Sequence, residues 1–296
     1  MFQHIADQEL SLECGPPLSE MYTLSPFVWK TGARWEILLR AVPRRDDHPA
    51  LKIARVYYGQ SQDGLHFAMD AAPMLMPGPG PNDLDGCEDP TVAVDSGTHF
   101  VYYSGWNEEA KQGVLLLATG PDAAHLEKRG VRLASTAQQA NPKEATIVRA
   151  MDGTWRLFYE FAADDASQIG LASAPQVDGP WTVQTPLFHA RPGGWDGWHL
   201  STGPLLLNDP QCPVMFYNGA TQDAHWRIGW VMFDADYTQV TARGEMPVIV
   251  PPPPVPPATD IAFAASAVEE GDTVYLYYSI ADKEMFRAAL RRAKGE

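Results

Sequence analysis

Cysteine is scarce in this chain: Cys14, Cys87 and Cys212 are the only three in 296 residues. They are too few and too scattered for a disulfide framework or a zinc ribbon. Long apolar runs are missing as well, and without ~18 consecutive apolar residues no transmembrane helix is expected. The opening segment, Met1-Phe-Gln-His-Ile-Ala-Asp-Gln-Glu-Leu10, holds neither a basic cluster nor an apolar stretch. No secretory signal is expected from it, and a reduced, cytoplasmic protein is the simplest expectation. Positive charge is short too: 22 Lys and Arg stand against 37 Asp and Glu, a formal net charge of -15. The field of such a chain repels nucleic-acid phosphates and anionic lipid, whereas a neutral ligand such as a sugar is compatible with it. No pair of histidines has i, i+4 spacing with a nearby acid, so neither a metal nor a cofactor is expected.

What is present is a repeat. A Gly or Pro turn precedes a short apolar and aromatic run that ends in a polar residue, as in Gly32-Ala-Arg-Trp-Glu-Ile-Leu-Leu-Arg40. The pattern returns at 97–104, 153–160, 213–218 and 271–279, with the turn residues 65, 56, 60 and 58 positions apart. A period near 60 with a β-rich unit means radial repetition. The expected fold is all-β, a five-bladed β-propeller occupying residues 1–296 as one domain, with the segment before Ser25 closing the ring against the last blade. Each unit also shows a preceding strand, such as Asp89-Pro-Thr-Val-Ala-Val94, and a following one, such as Gln168-Ile-Gly-Leu-Ala-Ser173. The Pro-rich run at 251–257 cannot form a ladder strand, because proline lacks the amide donor. It reads as a stiff connection between blades four and five, or as a rim element at the pocket mouth.

The first strand of a propeller blade lies nearest the axis, so ionisable residues there need partners or water. Glu88-Asp89-Pro90 opens the second blade and Lys143-Glu144 the third. Adjacent residues of a strand point to opposite faces, so one of Glu88 and Asp89 is expected to face a central pocket. Any single one of these acids could serve as a blade-to-blade hydrogen bond; three at the starts of neighbouring blades point to more. The runs that follow end in Arg40, Ser104, Glu160, Asn218 and Ser279, and Asp282 lies just beyond the last. Carboxylates from different blades around an axial cleft offer the paired acid and base of glycoside cleavage. One stays protonated to assist the leaving oxygen and the other stays ionised to activate a nucleophile. Trp106-Asn107 and the segment Gly193-Gly-Trp-Asp-Gly-Trp-His199 supply aromatic faces suited to pyranose rings, although core or rim packing is the commoner role of a single Trp. His199 alone reads more readily as an ordinary hydrogen-bonded histidine than as a catalytic one.

These segments resemble glycoside hydrolase family 130 over about residues 25 to 290. Gly86-Cys-Glu-Asp-Pro90, with Tyr102-Tyr-Ser104 downstream, is similar to its Gly-x-Glu-Asp-Pro-Arg segment. Pro142-Lys-Glu-Ala145 is similar to its Lys-Asp-Ala element, Phe216-Tyr-Asn-Gly219 to its Tyr-His-Gly, and Tyr277-Tyr-Ser-Ile-Ala-Asp282 to its Tyr-Tyr-Gly-x-Ala-Asp ending. The resemblance implies a five-bladed propeller acting on β-mannosides with inversion, by phosphorolysis or hydrolysis. It implies Asp89 as general acid, with Arg40 and Asp282 holding mannose hydroxyls. Trp106, Asn107, Lys143, Tyr159, His199 and Asn218 complete the candidate substrate-binding set.

The chain departs from the family pattern at three points. Thr91 replaces the Arg after Glu-Asp-Pro, Tyr159-Glu160 replaces the His-Arg pair of the phosphorylases, and Asn218 replaces the His of Tyr-His-Gly. Phosphate needs fixed positive charge or many N–H donors, and a Glu where an Arg stood changes the local charge by two units. Glu160 is therefore the preferred base, with Glu144 the second candidate, and hydrolysis is preferred to phosphorolysis. A non-catalytic sugar-binding propeller, or one acting on arabinosides or xylosides, remains an alternative, because fold does not fix substrate. The sequence leaves a homo-oligomer open.

Overall fold

A computed structural model of the chain describes residues 2–44, 53–254 and 259–292. Its strands form five separate antiparallel sheets, each read from the inside outward in chain order. Blade one runs Met21–Thr31, Arg34–Pro43, Arg55–Ser61 and His66–Met69, with Ser11–Glu13 added parallel to its outer edge. Blade two is Gly86–Asp95, Thr98–Asn107, Gln112–Gly120 and Glu127–Leu133; blade three is Ala140–Arg149, Trp155–Ala163, Ala166–Ala174 and Thr182–Gln184. Blade four has a divided inner strand, His199–Ser201 and Leu205–Leu206, followed by Val214–Ala220, Trp226–Phe233 and Val240–Arg243. Blade five is Ala262–Glu270, Thr273–Ile280 and Glu284–Arg292, and its fourth strand is the N-terminal Phe2–Glu9, antiparallel to Glu284–Arg292. This is a five-bladed β-propeller, and no α-helix occurs among the described residues. Residues 255–257 of the Pro-rich connection lie outside those described.

The repeated apolar run is the second strand of every blade. It carries the large aromatics Tyr102, Tyr103, Phe158, Tyr159, Phe216, Tyr217, Tyr277 and Tyr278, all essentially inaccessible to water. Because side chains alternate along a strand, each run feeds both flanking seams. Among the described residues five large apolar clusters result, one between each pair of neighbouring blades, the fifth joining Trp35 and Tyr57 of blade one to Tyr277 and Met285 of blade five, and a small sixth gathers Leu24, Val42 and Ala54. Full burial of one such side chain contributes about 1.5–3 kcal/mol, so the seams rather than the individual sheets hold the ring together.

Nearer the axis every seam is also bridged by a hydrogen bond from a side chain. Thr91 Oγ1 donates to the Ala145 carbonyl (2.6 Å) and Thr146 Oγ1 to that of Gly203 (2.9 Å). Asn218 spans to Ala264, accepting from its N–H (2.7 Å), and Ser266 Oγ donates to the Pro26 carbonyl (2.8 Å). Ser25 Oγ closes the circle on Asp89 Oδ1 (2.7 Å).

The inner strands share one irregularity. Their pairing with the second strand shifts register between Leu24 and Phe27, Glu88 and Thr91, Lys143 and Thr146, and Ala264 and Ser266. A bulge leaves a residue unpaired and re-aims its side chain. In the first three blades that residue is Ser25, Asp89 or Glu144, each left-handed at φ 51°, 48° and 52°. A non-glycine residue in this region costs of order 1–3 kcal/mol. The fold thus strains its backbone at equivalent points around one end of the axis.

Candidate active site

The bulges open onto an axial cavity of about 440 Å³ lined by residues of all five blades, with blade two contributing only Asp89 and blade four only Trp226, within the range of ligand pockets. Ser25, Asp89 and Glu144 reach it from the bulges, and Arg40, Glu160 and Ser279 from the ends of the second strands. Those ends are equivalent: Arg40 pairs with Leu24, Glu160 with Lys143 and Ser279 with Phe263. Repeat position and register together therefore select the polar lining.

Arg40 is the hub of one side. Its guanidinium meets Glu88 Oε1 at 2.8 Å and Asp89 Oδ1 at 3.2 Å. The bulge at Asp89 breaks the strict alternation expected of Glu88 and Asp89, so both carboxylates converge on this one cation. Burial disfavours the Arg40 charge, but Glu88, Asp89, Glu144 and Asp282 outweigh it and hold its pKa above the usual value. Burial likewise pushes the Asp89 pKa upward; Arg40, the Ser25 hydroxyl and Lys143 oppose it and leave Asp89 below the usual carboxylate range.

Glu160 anchors the opposite side. It is buried at 3% exposure. One oxygen, Oε1, accepts from Ser167 Oγ at 2.7 Å and faces Lys143 Nζ at 3.3 Å. Glu160 is the leading influence holding the Lys143 pKa up, against burial. Behind it, the Ser167 N–H donates to His199 Nδ1 at 3.1 Å. That bond makes Nδ1 an acceptor, burial lowers the His199 pKa, and the neutral ring stacks on Trp226 (5.7 Å between centroids). The segment before His199 is fixed by Asp196, fully buried between Arg191 (2.8 Å) and Arg243, with Tyr217 Oη donating to it at 2.6 Å. Trp195 stacks on Tyr217, and a Cβ at Gly229 would come within 2.5 Å of its ring.

Glu144 stands between the two sides. Its N–H donates to Ser104 Oγ (3.4 Å), and its carboxyl group lines the same cavity as that of Asp89. Enclosure, with Asp89 and Glu160 adding like charge, pushes its pKa well up, and Lys143 only partly offsets them. Among the described residues no group of three or more His, Cys, Asp or Glu is arranged to hold a metal ion.

Of the expected site residues, Arg40, Asp89, Lys143, Glu144, Glu160 and Asp282 line the cavity. The others do not. Tyr159 points away from its neighbour Glu160 into the seam between blades two and three, where its hydroxyl donates to Gln139. Asn218 occupies the position equivalent to Glu160, but the inner strand of blade four is interrupted at Thr202 to Pro204. Its amide is consumed there, donating to the carbonyls of Thr202 and Ala264. Trp106 turns to Glu108 and Asn107 to the Pro81 carbonyl, both beyond the pocket. His199 lies one residue behind the lining. Ser279, one of the polar strand ends, lines it as well, and residues missed in the sequence are Ser25, Ser167 and Lys283, with an aromatic wall of Tyr22, Trp226 and Phe263. Trp226 and Phe263 meet edge to face at 5.3 Å.

Comparison with known proteins agrees with this architecture. A β-1,2-mannobiose phosphorylase of Listeria innocua is 26% identical over 244 residues, 79% of this chain; the chain spans 65% of that relative's length. The solved complex of the Listeria innocua enzyme with β-1,2-mannobiose superposes with a TM-score of 0.78 at 20% identity, covering 97% of this chain and 91% of that one. A 1,2-β-oligomannan phosphorylase of Thermoanaerobacter is 23% identical over 78% of this chain and 76% of its own length. A further structure has a TM-score of 0.76 at 22% identity, covering 93% of this chain and 87% of that one. It is described with the finding that this family of mannoside phosphorylases contains glycoside hydrolases targeting β-1,2 mannosidic linkages in Candida mannan. The sequence profile of the family, described as β-1,4-mannooligosaccharide phosphorylase, matches residues 42–291, which include Asp89, Glu144, Glu160 and Asp282. With the profile spanning blades two to four whole and part of the first and fifth, this chain belongs to glycoside hydrolase family 130.

Proposed function

We propose that the axial cavity cleaves β-mannosidic linkages with inversion, and that water is the nucleophile, activated by Glu160. The observation that carries the choice of water is the charge around the cavity. Glu88, Asp89, Glu144 and Glu160 surround Arg40 and the half-exposed Lys143, and both are committed, Arg40 to Glu88 and Asp89, Lys143 to Glu160; the third lining cation, Lys283, lies at the rim over the Tyr22 ring. A phosphate dianion arriving here meets carboxylates before it meets unpaired positive charge. Glu160, in contrast, has Oε1 held by Ser167 and Lys143, which leaves Oε2 to take a proton from water. The Tyr22, Trp226 and Phe263 wall suits the apolar face of a pyranose.

The second reading is phosphorolysis, and the comparisons taken alone favour it over hydrolysis, since the curated relatives are named as phosphorylases. In that case Lys143 leaves Glu160 to bind phosphate, joined by Lys283 at the rim beside Tyr22. Product analysis with β-1,2- and β-1,4-linked manno-oligosaccharides separates the readings. Free mannose formed at the same rate with and without phosphate supports water. Mannose 1-phosphate formed only with phosphate establishes the second reading, and no cleavage of either linkage removes both.

A further inference from the structure

We propose that His199, which lies behind the cavity lining, is a positioning residue for Glu160: its neutral ring fixes Ser167, and its protonation frees both Ser167 and the carboxylate. This rests on the reading of Glu160 as the group that activates water.

The hairpin that carries Ser167 is built to meet Glu160. Its two-residue turn, Asp164-Asp165, is left-handed at both positions (φ 52° and 58°), the geometry that matches the twist of the flanking strands. Register is fixed in this way, with Ala163 opposite Ala166, Ala162 opposite Ser167 and Glu160 opposite Ile169. Ala162 and Glu160, two apart on one strand, share a face. Ser167 is therefore the diagonal neighbour of Glu160, within reach of a long side chain, and its hydroxyl donates to Oε1 at 2.7 Å. Lys143 meets the same oxygen at 3.3 Å from a side chain that is 43% exposed, so the short serine is the firmer of the two holds.

What keeps Ser167 in place comes from the next blade. The outermost strand of blade three, Thr182–Gln184, pairs with the third strand only at Leu171–Ser173, which leaves the edge at Ser167 open. Blade four grips that edge with two consecutive residues. Trp198 Nε1 donates to the Asp165 carbonyl at 3.1 Å, and His199 Nδ1 accepts the Ser167 N–H at 3.1 Å. A peptide N–H only donates, so Nδ1 has to be unprotonated; in the charged ring both nitrogens are donors, and Nδ1–H then opposes the Ser167 N–H. The ring itself is held by its stack on Trp226, so the serine edge of the hairpin is the part that moves. Burial, the largest influence, holds the His199 pKa below its usual value; of the charged groups facing it, Glu160 raises it and Lys143 lowers it. His199 is therefore neutral at neutral pH, and the hold on Glu160 is lost as pH falls through that lowered value.

Profiles of kcat against pH on a β-linked manno-oligosaccharide test this with three variants. His199→Phe keeps a ring against Trp226 without an acceptor, and should lower kcat by about 10–100-fold with KM little changed, the scale of a misplaced catalytic group. His199→Asn offers a carbonyl oxygen in place of Nδ1 and does not titrate. It should restore most of the neutral-pH rate, and its kcat should fall less steeply on the acid side than that of the wild type, one ionisation having been removed. In Ser167→Ala the N–H remains but the hydroxyl is gone, so adding His199→Phe to it should cost little more. An acid limb that His199→Asn leaves unchanged, or a His199→Phe loss undiminished in Ser167→Ala, overturns the proposal. Nitrogen-15 NMR of the wild type covers variants that do not fold: the Ser167 amide should shift as the His199 ring titrates, and an amide indifferent to it overturns the proposal whatever the reaction. Glu160→Gln at the wild-type rate instead removes the reading of the base and the catalytic role of His199 with it, while the amide titration still decides whether the ring holds Ser167.

Discussion

Arg40→Met is the substitution that most directly probes the electrostatics of the cavity. The guanidinium is 17% exposed and compensates two carboxylates, Asp89 at 3% and Glu88 at 19% exposure. Methionine fills much of the same space but leaves those charges facing each other across a low-dielectric cavity. Removing one partner of a buried ion pair costs about 3–5 kcal/mol, and the partial exposure of Glu88 places the expected loss at the lower end. At roughly 2–3 °C per kcal/mol for a domain of this size, the melting temperature at neutral pH should fall by roughly 6–9 °C. The loss should also depend on pH. Burial is already the largest influence on Asp89 and Arg40 the largest that opposes it, so without Arg40 its pKa rises. The variant's stability is then recovered as pH falls from neutral and Asp89 takes up a proton, whereas the wild type, with Asp89 depressed, keeps its stabilisation until more acid pH. Calorimetric melting of both proteins between pH 8 and pH 5, values at which about neutral carboxylate behaviour is sampled, reads both effects. A shift of less than roughly 2 °C, or a deficit that grows toward acid pH, refutes the reasoning.

Three further outcomes follow from the same geometry. Asn218→Ala should cost about 1–3 kcal/mol, because the Ala264 N–H and two carbonyls lose their buried partner; chemical denaturation measures it, with kcat little changed if Asn218 serves only the seam. Trp226→Ala should raise KM for manno-oligosaccharides roughly 2–12-fold, the equivalent of about 0.5–1.5 kcal/mol of aromatic stacking, with a smaller effect on kcat. Glu144→Gln should stabilise the protein at neutral pH. A carboxyl whose folded pKa is raised contributes most below its unfolded pKa and loses that contribution as pH rises through the folded one. The advantage of the variant in thermal melts should therefore widen from acid toward neutral pH.

The propeller was legible because each second strand is buried on both faces, which forces the same aromatic-rich run to recur with every blade. Its last polar residue was legible for the same reason, and at Arg40, Glu160 and Ser279 it reaches the cavity. Asn218 shows the limit of that rule: repeat position is shared, but an interrupted inner strand turns the side chain into a backbone bridge. The bulges were not anticipated. A left-handed residue before Pro26 or Pro90 runs against the extended preference of that position, so simple alternation assigned only one of Glu88 and Asp89 to the axis. Ser25-Pro26 nevertheless stands in blade one where Asp89-Pro90 stands in blade two, and that equivalence was a usable signal for Ser25. Trp226 and Phe263 had none, since they come from the third strand of one blade and the first of the next and meet only across the seam.

The central claim, water activated at Glu160, is tested most directly by cleaving a β-linked manno-oligosaccharide in heavy-oxygen water containing inorganic phosphate. The account predicts mannose carrying the heavy oxygen at its anomeric carbon, released first as the α anomer, with the rate lost in Glu160→Gln. Unlabelled mannose 1-phosphate, formed in proportion to phosphate, would contradict it.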